Sequence, residues 1–261
     1  MSGDAVPRRV PGPGRTEPIW SPLCAEVLTS TAVCSGEAYA RAVGRTPRIQ
    51  FAGALYHVTT RGNAKQRVCL DDWDFSWLVA QIGETVTRYG WICQSYCVLG
   101  NHFHLSVATP EPNLAKGMRI LNGSYAQRFN RRYGRSGHVF QGRYGAELVS
   151  RHEHLLEVSR YVALNPVRAG LCSRPELWPW SSYRATIGLD EPPSWLAVDA
   201  LLAPFSDGPT PAAFRYRSFV EQELRALQAA SRSGRTGDGS RDMAMETVPR
   251  HDPGPGPAVS L

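Results

Sequence analysis

Two histidines one residue apart, His102 and His104 in "VLGNHFHLSVATPEP", are the first residues of this chain whose types and spacing suggest chemistry. Successive side chains of a strand point to opposite faces, so these two imidazoles share one face while Phe103 and Leu105 share the other. Two imidazoles side by side make either half of a metal site or a hydrogen-bonded structural pair, and the spacing supports both. His57, alone in "ALYHVTTRG", reads as an ordinary strand histidine. A second such pair, His152 and His154 in "RHEHLLEVSRY", opens a helical stretch. Positions two apart there point about 200° away from each other, at roughly 3.6 residues per turn, so one ion cannot take both. That pair is assigned a solvated or capping role.

Tyr161 and Asn165 in "SRYVALNP" are four apart, on one helical face a turn from each other. An amide oxygen can serve a hard cation, and a tyrosine hydroxyl beside that cation can attack a polarised phosphate. The alternative is an amphipathic core tyrosine and a helix C-cap before Pro166. Charge adds a third clue. From Asn113 to Gly145 the chain carries Lys116, Arg119, Arg128, Arg131, Arg132, Arg135 and Arg143 and neither Asp nor Glu, interleaved with Tyr125, Phe129, Tyr133, Phe140 and Tyr144. A solvated helix face normally mixes both signs, so this segment reads as a surface for phosphates and stacked bases of single-stranded nucleic acid.

The elements that must position these residues follow from periodicity. "ALYHVTTRG" alternates as a strand. "DDWDFSWLVAQIGETVTRYG" opens on acidic caps, carries Phe75, Leu78, Ile82 and Val86 at helical spacing, and ends at Gly90. "WICQSYCVL" and "HFHLSVAT" are two strands joined by a Gly100–Asn101 turn. A helix over Asn113 to Tyr133 presents Leu114, Met118, Leu121, Tyr125 and Phe129 on one side. A loop and strand in "GHVFQGRYGAELVS" precede a last helix, Arg151 to Leu164, stopped by Pro166. The order β-α-β-β-α-β-α predicts an α+β fold with a ferredoxin-like antiparallel sheet and helices on one face.

The 261 residues, 42% hydrophobic and 20% charged with a formal charge of +6, are enough for one well-buried domain with tails or for two small domains. Residues 1–47, opening with "VPRRVPGPGRTEP", are expected to be disordered, 48–190 to form the domain, 191–230 an accessory helical segment, and 231–261 a disordered tail. No apolar run approaches the roughly 20 residues of a membrane span and no secretory signal is evident. The six cysteines show no paired Cys-x-x-Cys spacing, and Cys93 and Cys97 read as buried free thiols. A reduced, cytoplasmic protein is expected.

Taken together, "YHVTTRGN", "NHFHLSVATPEPNL", "NGSYAQRFNRRYGRSGHVFQGRY", "SRYVALNPVRAGL" and "WPWSSY" resemble the REP-associated tyrosine transposases, a group of the single-tyrosine HUH transposases, over about Arg48 to Gly188. The resemblance implies an HUH nuclease fold that cuts and rejoins single-stranded DNA at hairpin-forming repeats. It assigns His102, His104 and Asn165 to a divalent metal, Mg2+ or Mn2+, and Tyr161 as the nucleophile that forms a 5′-phosphotyrosine adduct and frees a 3′-hydroxyl. Gly100 stands where relatives commonly have proline. A free tyrosine titrates near 10, so its attack at neutral pH needs such help. Two rivals remain: a domesticated, non-cleaving protein that binds DNA or RNA hairpins, and hydrolysis by a metal-activated water. Monomer and homodimer are both compatible with the sequence.

Overall fold

The structure is a computed structural model that describes residues 50–149 and 152–233. The expected disordered segment 1–47, Cys24 and Cys34 within it, and nearly all of the expected tail lie outside the described residues. Strands β1 (Ala54–Arg61), β2 (Ile92–Val98), β3 (His102–Thr109) and β4 (Gly145–Leu148) form one antiparallel sheet in the order β2-β3-β1-β4. Helix α1 (Asp72–Tyr89) joins β1 to β2, and α2 (Leu114–Arg132) joins β3 to β4. This is the ferredoxin-like connectivity expected from the sequence. After β4 come α3 (His152–Arg168), two short helices α4 (Tyr183–Thr186) and α5 (Val198–Leu202), and the long α6 (Ala212–Ser233).

The ends of α1 are those its sequence dictates. The Asp71 carboxylate accepts from the Asp74 amide at 3.0 Å, and Gly90 closes the helix at φ 63°, where a side chain is disfavoured. Phe75, Leu78, Ile82 and Val86 then lie on the inner side of α1, and Leu114, Met118, Leu121, Tyr125 and Phe129 on the inner side of α2. Both helices cover the sheet face built from Val58, Phe103, Leu105 and Val107.

The expectation of helices on one face describes α1 and α2; the opposite face is covered by α3. Leu55, Cys97 and Leu99 on that face pack against Val149 and against Leu155, Val158 and Val162 of α3. The reason lies in β2, whose residues are buried on both sides and therefore need a layer on each. Cys69, Cys93 and Cys97 are buried free thiols, and burial pushes Cys93 up to about 12.

Helix α3 also runs further than the sequence suggests. It continues through Pro166 to Arg168 rather than ending at Leu164. Proline cannot bond the carbonyl one turn back, yet its fixed φ is helical, and the chain completes another turn. Gly170 at φ 70° then closes it, with its amide on the Val167 carbonyl (3.0 Å) and the Leu171 amide on Pro166 (2.9 Å). Asn165 thereby stays helical, a turn from Tyr161.

The "WPWSSY" segment shields the outer edge of β2. The Val98 amide bonds the Trp180 carbonyl (2.8 Å), Trp178 Nε1 donates to the Val98 carbonyl (2.9 Å), and the Ser182 amide donates to the Tyr96 carbonyl (3.0 Å). A strand edge that would otherwise offer unpaired groups is thereby closed. On the far side of α3, Tyr216, Val220 and Leu224 of α6 pack on Ala163, Leu164, Tyr183 and Leu201. Among the described residues no helix is long and apolar enough to cross a membrane.

Candidate active site

The face of the sheet beneath α3 gathers the residues singled out for chemistry. The β1–β3 register sets Arg61 opposite His102, Thr59 opposite His104 and His57 opposite Ser106. All of these side chains share one face by strand alternation. His102 and His104 stand side by side, ring centroids 5.0 Å apart and nearly perpendicular. From above, α3 lowers Asn165, whose amide nitrogen lies 3.1 Å from His104 Nε2 and whose amide also hydrogen-bonds His102. One turn earlier, the Tyr161 ring meets His104 edge-on at 5.4 Å. The four residues expected to act together are therefore adjacent.

Their environments differ sharply. His104 is 4% exposed and Asn165 5%, whereas Tyr161 is 41% exposed. Burial holds His102 below the usual histidine value, helped by the nearby Arg61 cation and opposed by Asn165. Burial, then the neighbouring His102 and His57, hold His104 well below it. Both imidazoles are thus neutral near pH 7, the form that carries a lone pair for a cation. Two neutral imidazoles and one amide suit a divalent cation of intermediate hardness. The set brings no carboxylate, so a phosphate would supply the balancing charge. Among the described residues no three His, Cys, Asp or Glu side chains gather into a metal-binding group, so a cation here depends on the amide.

Sequence reasoning missed His57. Its Nε2 lies 3.0 Å from His104 Nδ1, the two rings are 20° from coplanar with centroids 5.2 Å apart, and Tyr161 meets His57 edge-on at 5.8 Å. Burial lowers His57 too, with Glu147 opposing and His154 reinforcing. The available signal was register: His57 is the diagonal neighbour of His104 across β1 and β3. His154 Nε2 sits 3.7 Å from the Glu147 carboxylate. The side chain of His152 lies outside the described residues.

The basic segment lies elsewhere. Helix α2 is on the other side of the sheet from Tyr161, so its cations do not converge on the tyrosine. Lys116, Arg119, Arg128, Arg131, Arg135 and Arg143 are exposed. Arg128 caps the stacked Trp73 and Trp77 rings, 4.2 Å from the Trp77 centroid. Arg132 is committed to the protein: it bonds Asp71 at 2.5 Å and Asp74 at 2.7 Å.

The fold and this site define an α+β protein that sets a His-x-His strand beneath a tyrosine-bearing helix. Residues 50–165 match the family model described as "Transposase IS200 like". The chain is 26% identical over 153 residues to a Haemophilus influenzae protein described as a REP-associated tyrosine transposase, covering 52% of this chain and 82% of that one. Among solved structures it is similar to a REP-associated tyrosine transposase bound to a REP hairpin, at 17% identity and a TM-score of 0.48 over 57% of this chain and 88% of the other. It is also similar to a Deinococcus radiodurans protein described as a transposase, at 19% identity and a TM-score of 0.34 over 46% of this chain and 95% of the other.

Proposed function

We propose that this chain is a single-strand DNA endonuclease and strand transferase that acts at hairpin-forming repeats through a covalent 5′-phosphotyrosine intermediate on Tyr161. The observation that carries the reading is the adjacency of an exposed tyrosine, two neutral imidazoles and a buried amide on one side of the sheet. The similar H. influenzae protein is described as a REP-associated tyrosine transposase, which favours a REP sequence as substrate.

Tyr161 Oη attacks the scissile phosphorus. A phosphorus–oxygen bond forms to tyrosine, the bond to the 3′ oxygen breaks, and the proton given up by the phenol is balanced by the one gained at the departing 3′ oxygen. His102, His104 and Asn165 would hold a divalent cation, Mg2+ or Mn2+. When bound, it neutralises charge on the scissile phosphate as the transition state forms. The helical spacing of Tyr161 and Asn165 fixes the nucleophile relative to the amide, so both approach one phosphate together. The phosphotyrosyl bond conserves the energy of the phosphodiester, so a second 3′-hydroxyl can reverse or redirect the step without a nucleotide cofactor. Exposed Lys116, Arg119, Arg128, Arg131, Arg135 and Arg143, with Arg132 as a more constrained member, would contact the phosphates of the hairpin.

The test is incubation with single-stranded hairpin oligonucleotides and Mn2+, resolved on a denaturing gel with peptide mapping. An adduct on Tyr161, absent in Tyr161→Phe, is the expected result. Cleavage that survives the substitution would instead identify water as the nucleophile, and binding without cleavage would identify a hairpin-binding protein.

A further inference from the structure

Both imidazoles of the strand β3 pair have their inner nitrogen already engaged, each by a residue given no role so far. The Asn101 amide nitrogen donates to the Lys65 carbonyl at 3.2 Å. Its oxygen is thereby turned toward His102 Nδ1, 2.6 Å away. An amide oxygen only accepts, so this short contact draws the His102 proton to Nδ1, in competition with the Asn165 amide that also bonds the ring. The backbone holds this arrangement: the Asn101 carbonyl accepts from the Gly62 amide at 2.7 Å and the Leu99 amide donates to the His102 carbonyl at 2.8 Å. His57 meets the corresponding nitrogen of His104, its Nε2 lying 3.0 Å from His104 Nδ1. The Asn165 amide nitrogen is on the opposite side of the His104 ring, at Nε2, where it donates into the lone pair.

We propose that Asn101 and His57 are the positioning residues of the candidate metal centre, each accepting the Nδ1 proton of one imidazole, so that His102 and His104 both offer Nε2 toward Asn165. This rests on the metal-centre reading above. A neutral imidazole has one proton and one lone pair, and whichever nitrogen is held by an acceptor decides where the lone pair points. Without such acceptors each ring would divide between two tautomers and two orientations. The cation would then select a minority state, with a matching loss of affinity. Metal-bound histidines elsewhere are oriented by this device, and loss of the outer partner typically weakens binding about 10–100-fold. His57 does it with a third histidine. That explains why its ring lies nearly coplanar with that of His104, edge to edge, and diagonal to it across the strands.

The experiment uses the full chain without DNA. Long-range 15N–1H spectra at pH 8 read the tautomer of each ring, and calorimetric titration with Mn2+ reads affinity. The variants are His57→Phe, which keeps a ring but has no acceptor, His57→Gln, which restores one, and Asn101→Ala. In the native chain both His102 and His104 should be in the Nδ1–H form. His57→Phe should release His104 from that form and weaken Mn2+ binding about 10–100-fold, with His57→Gln returning most of the loss. Asn101→Ala should do the same to His102. Thermal melts separate these effects from unfolding, and the Gln variant keeps the test open if the Phe variant does not fold. An Nε2–H native ring, or a His57→Phe protein with native tautomers and native affinity, overturns the inference. If the native chain has Nδ1–H rings yet takes up no Mn2+, the metal centre falls while the assignment of the two acceptors stands.

Discussion

The contrast between Asn165, 5% exposed, and Tyr161, 41% exposed, assigns different duties to two residues one helical turn apart. In the proposed mechanism the tyrosine meets a strand of DNA, and it is the open one of the two. The amide must be held still, and it is wedged against both imidazoles. Replacing Asn165 by alanine should lower the rate of hairpin cleavage in Mn2+ by about 10–100-fold, the usual loss when a metal-site contact is removed. Hairpin affinity, read by fluorescence anisotropy, should change less than about threefold, because the proposed phosphate contacts lie on α2. A comparable loss of both would place Asn165 in substrate binding instead. At this scale His102, His104, Tyr161 and Asn165 are legible in the sequence, since a strand's period of two and a helix's of 3.6 bring each pair onto one face. His57 and Asn101 are not. A single strand histidine and a turn asparagine acquire meaning only through register and hydrogen bonding, which no local spacing encodes.

At the scale of elements, Arg132 converts a basic sequence feature into a structural one. It reaches from the last turn of α2 to the N-terminal cap of α1, bonding both Asp71 and the nearly buried Asp74. Asp74 also accepts from the Leu70 amide at 2.9 Å and from the Tyr133 hydroxyl at 2.8 Å. Arg132→Met should therefore destabilise the fold by about 2 kcal/mol, less than the loss for a fully buried pair because the guanidinium is a third exposed. Urea denaturation measures this. Burial alone would raise Asp71, but its bonds to Arg132 and to the Asp74 amide outweigh that and hold it below its ordinary 3.8. A carboxylate with a lowered folded value contributes stability that is present above 3.8 and lost as pH falls through the folded value. The stability gap between native and Arg132→Met should stay constant from pH 7 to about 4 and narrow below it. The caps of α1 are legible because Asp71 and Gly90 are strong, local signals. The end of α3 is not, because Pro166 forbids one hydrogen bond without forbidding the turn that Gly170 completes. Charge composition likewise identifies the basic helix, but not that α1 and its acidic cap already claim Arg132.

For the molecule as a whole, the sheet separates two surfaces, with the imidazoles and Tyr161 on one side and the basic helix on the other. The connectivity β-α-β-β-α-β is legible from periodicity, and it explains the position of α2. That the sheet needs a second layer is harder to read, because it follows from β2 being buried on both faces. Helix α3 is that layer, and it is itself held from outside by α6. Tyr216 donates to the Ser159 carbonyl at 3.3 Å and packs with Val220 and Leu224 on Ala163 and Leu164, while Arg168 bonds Glu223 at 2.7 Å. Burying three such side chains contributes about 1.5–3 kcal/mol each, more than a single helix can forgo when it detaches from its neighbour. The tyrosine helix is thus clamped between the sheet and α6, over histidines of its own chain. Mixing Tyr161→Phe with His102→Ala chains, each inactive alone, should consequently yield no phosphotyrosine adduct on hairpin DNA at any ratio. Leu224→Ala, by loosening the clamp, should lower the thermal midpoint through a loss of about 2–5 kcal/mol in stability. Recovery of adduct in the mixture of intact-clamp variants would mean that α3 reaches the histidines of a second copy, and that the clamp opens in solution.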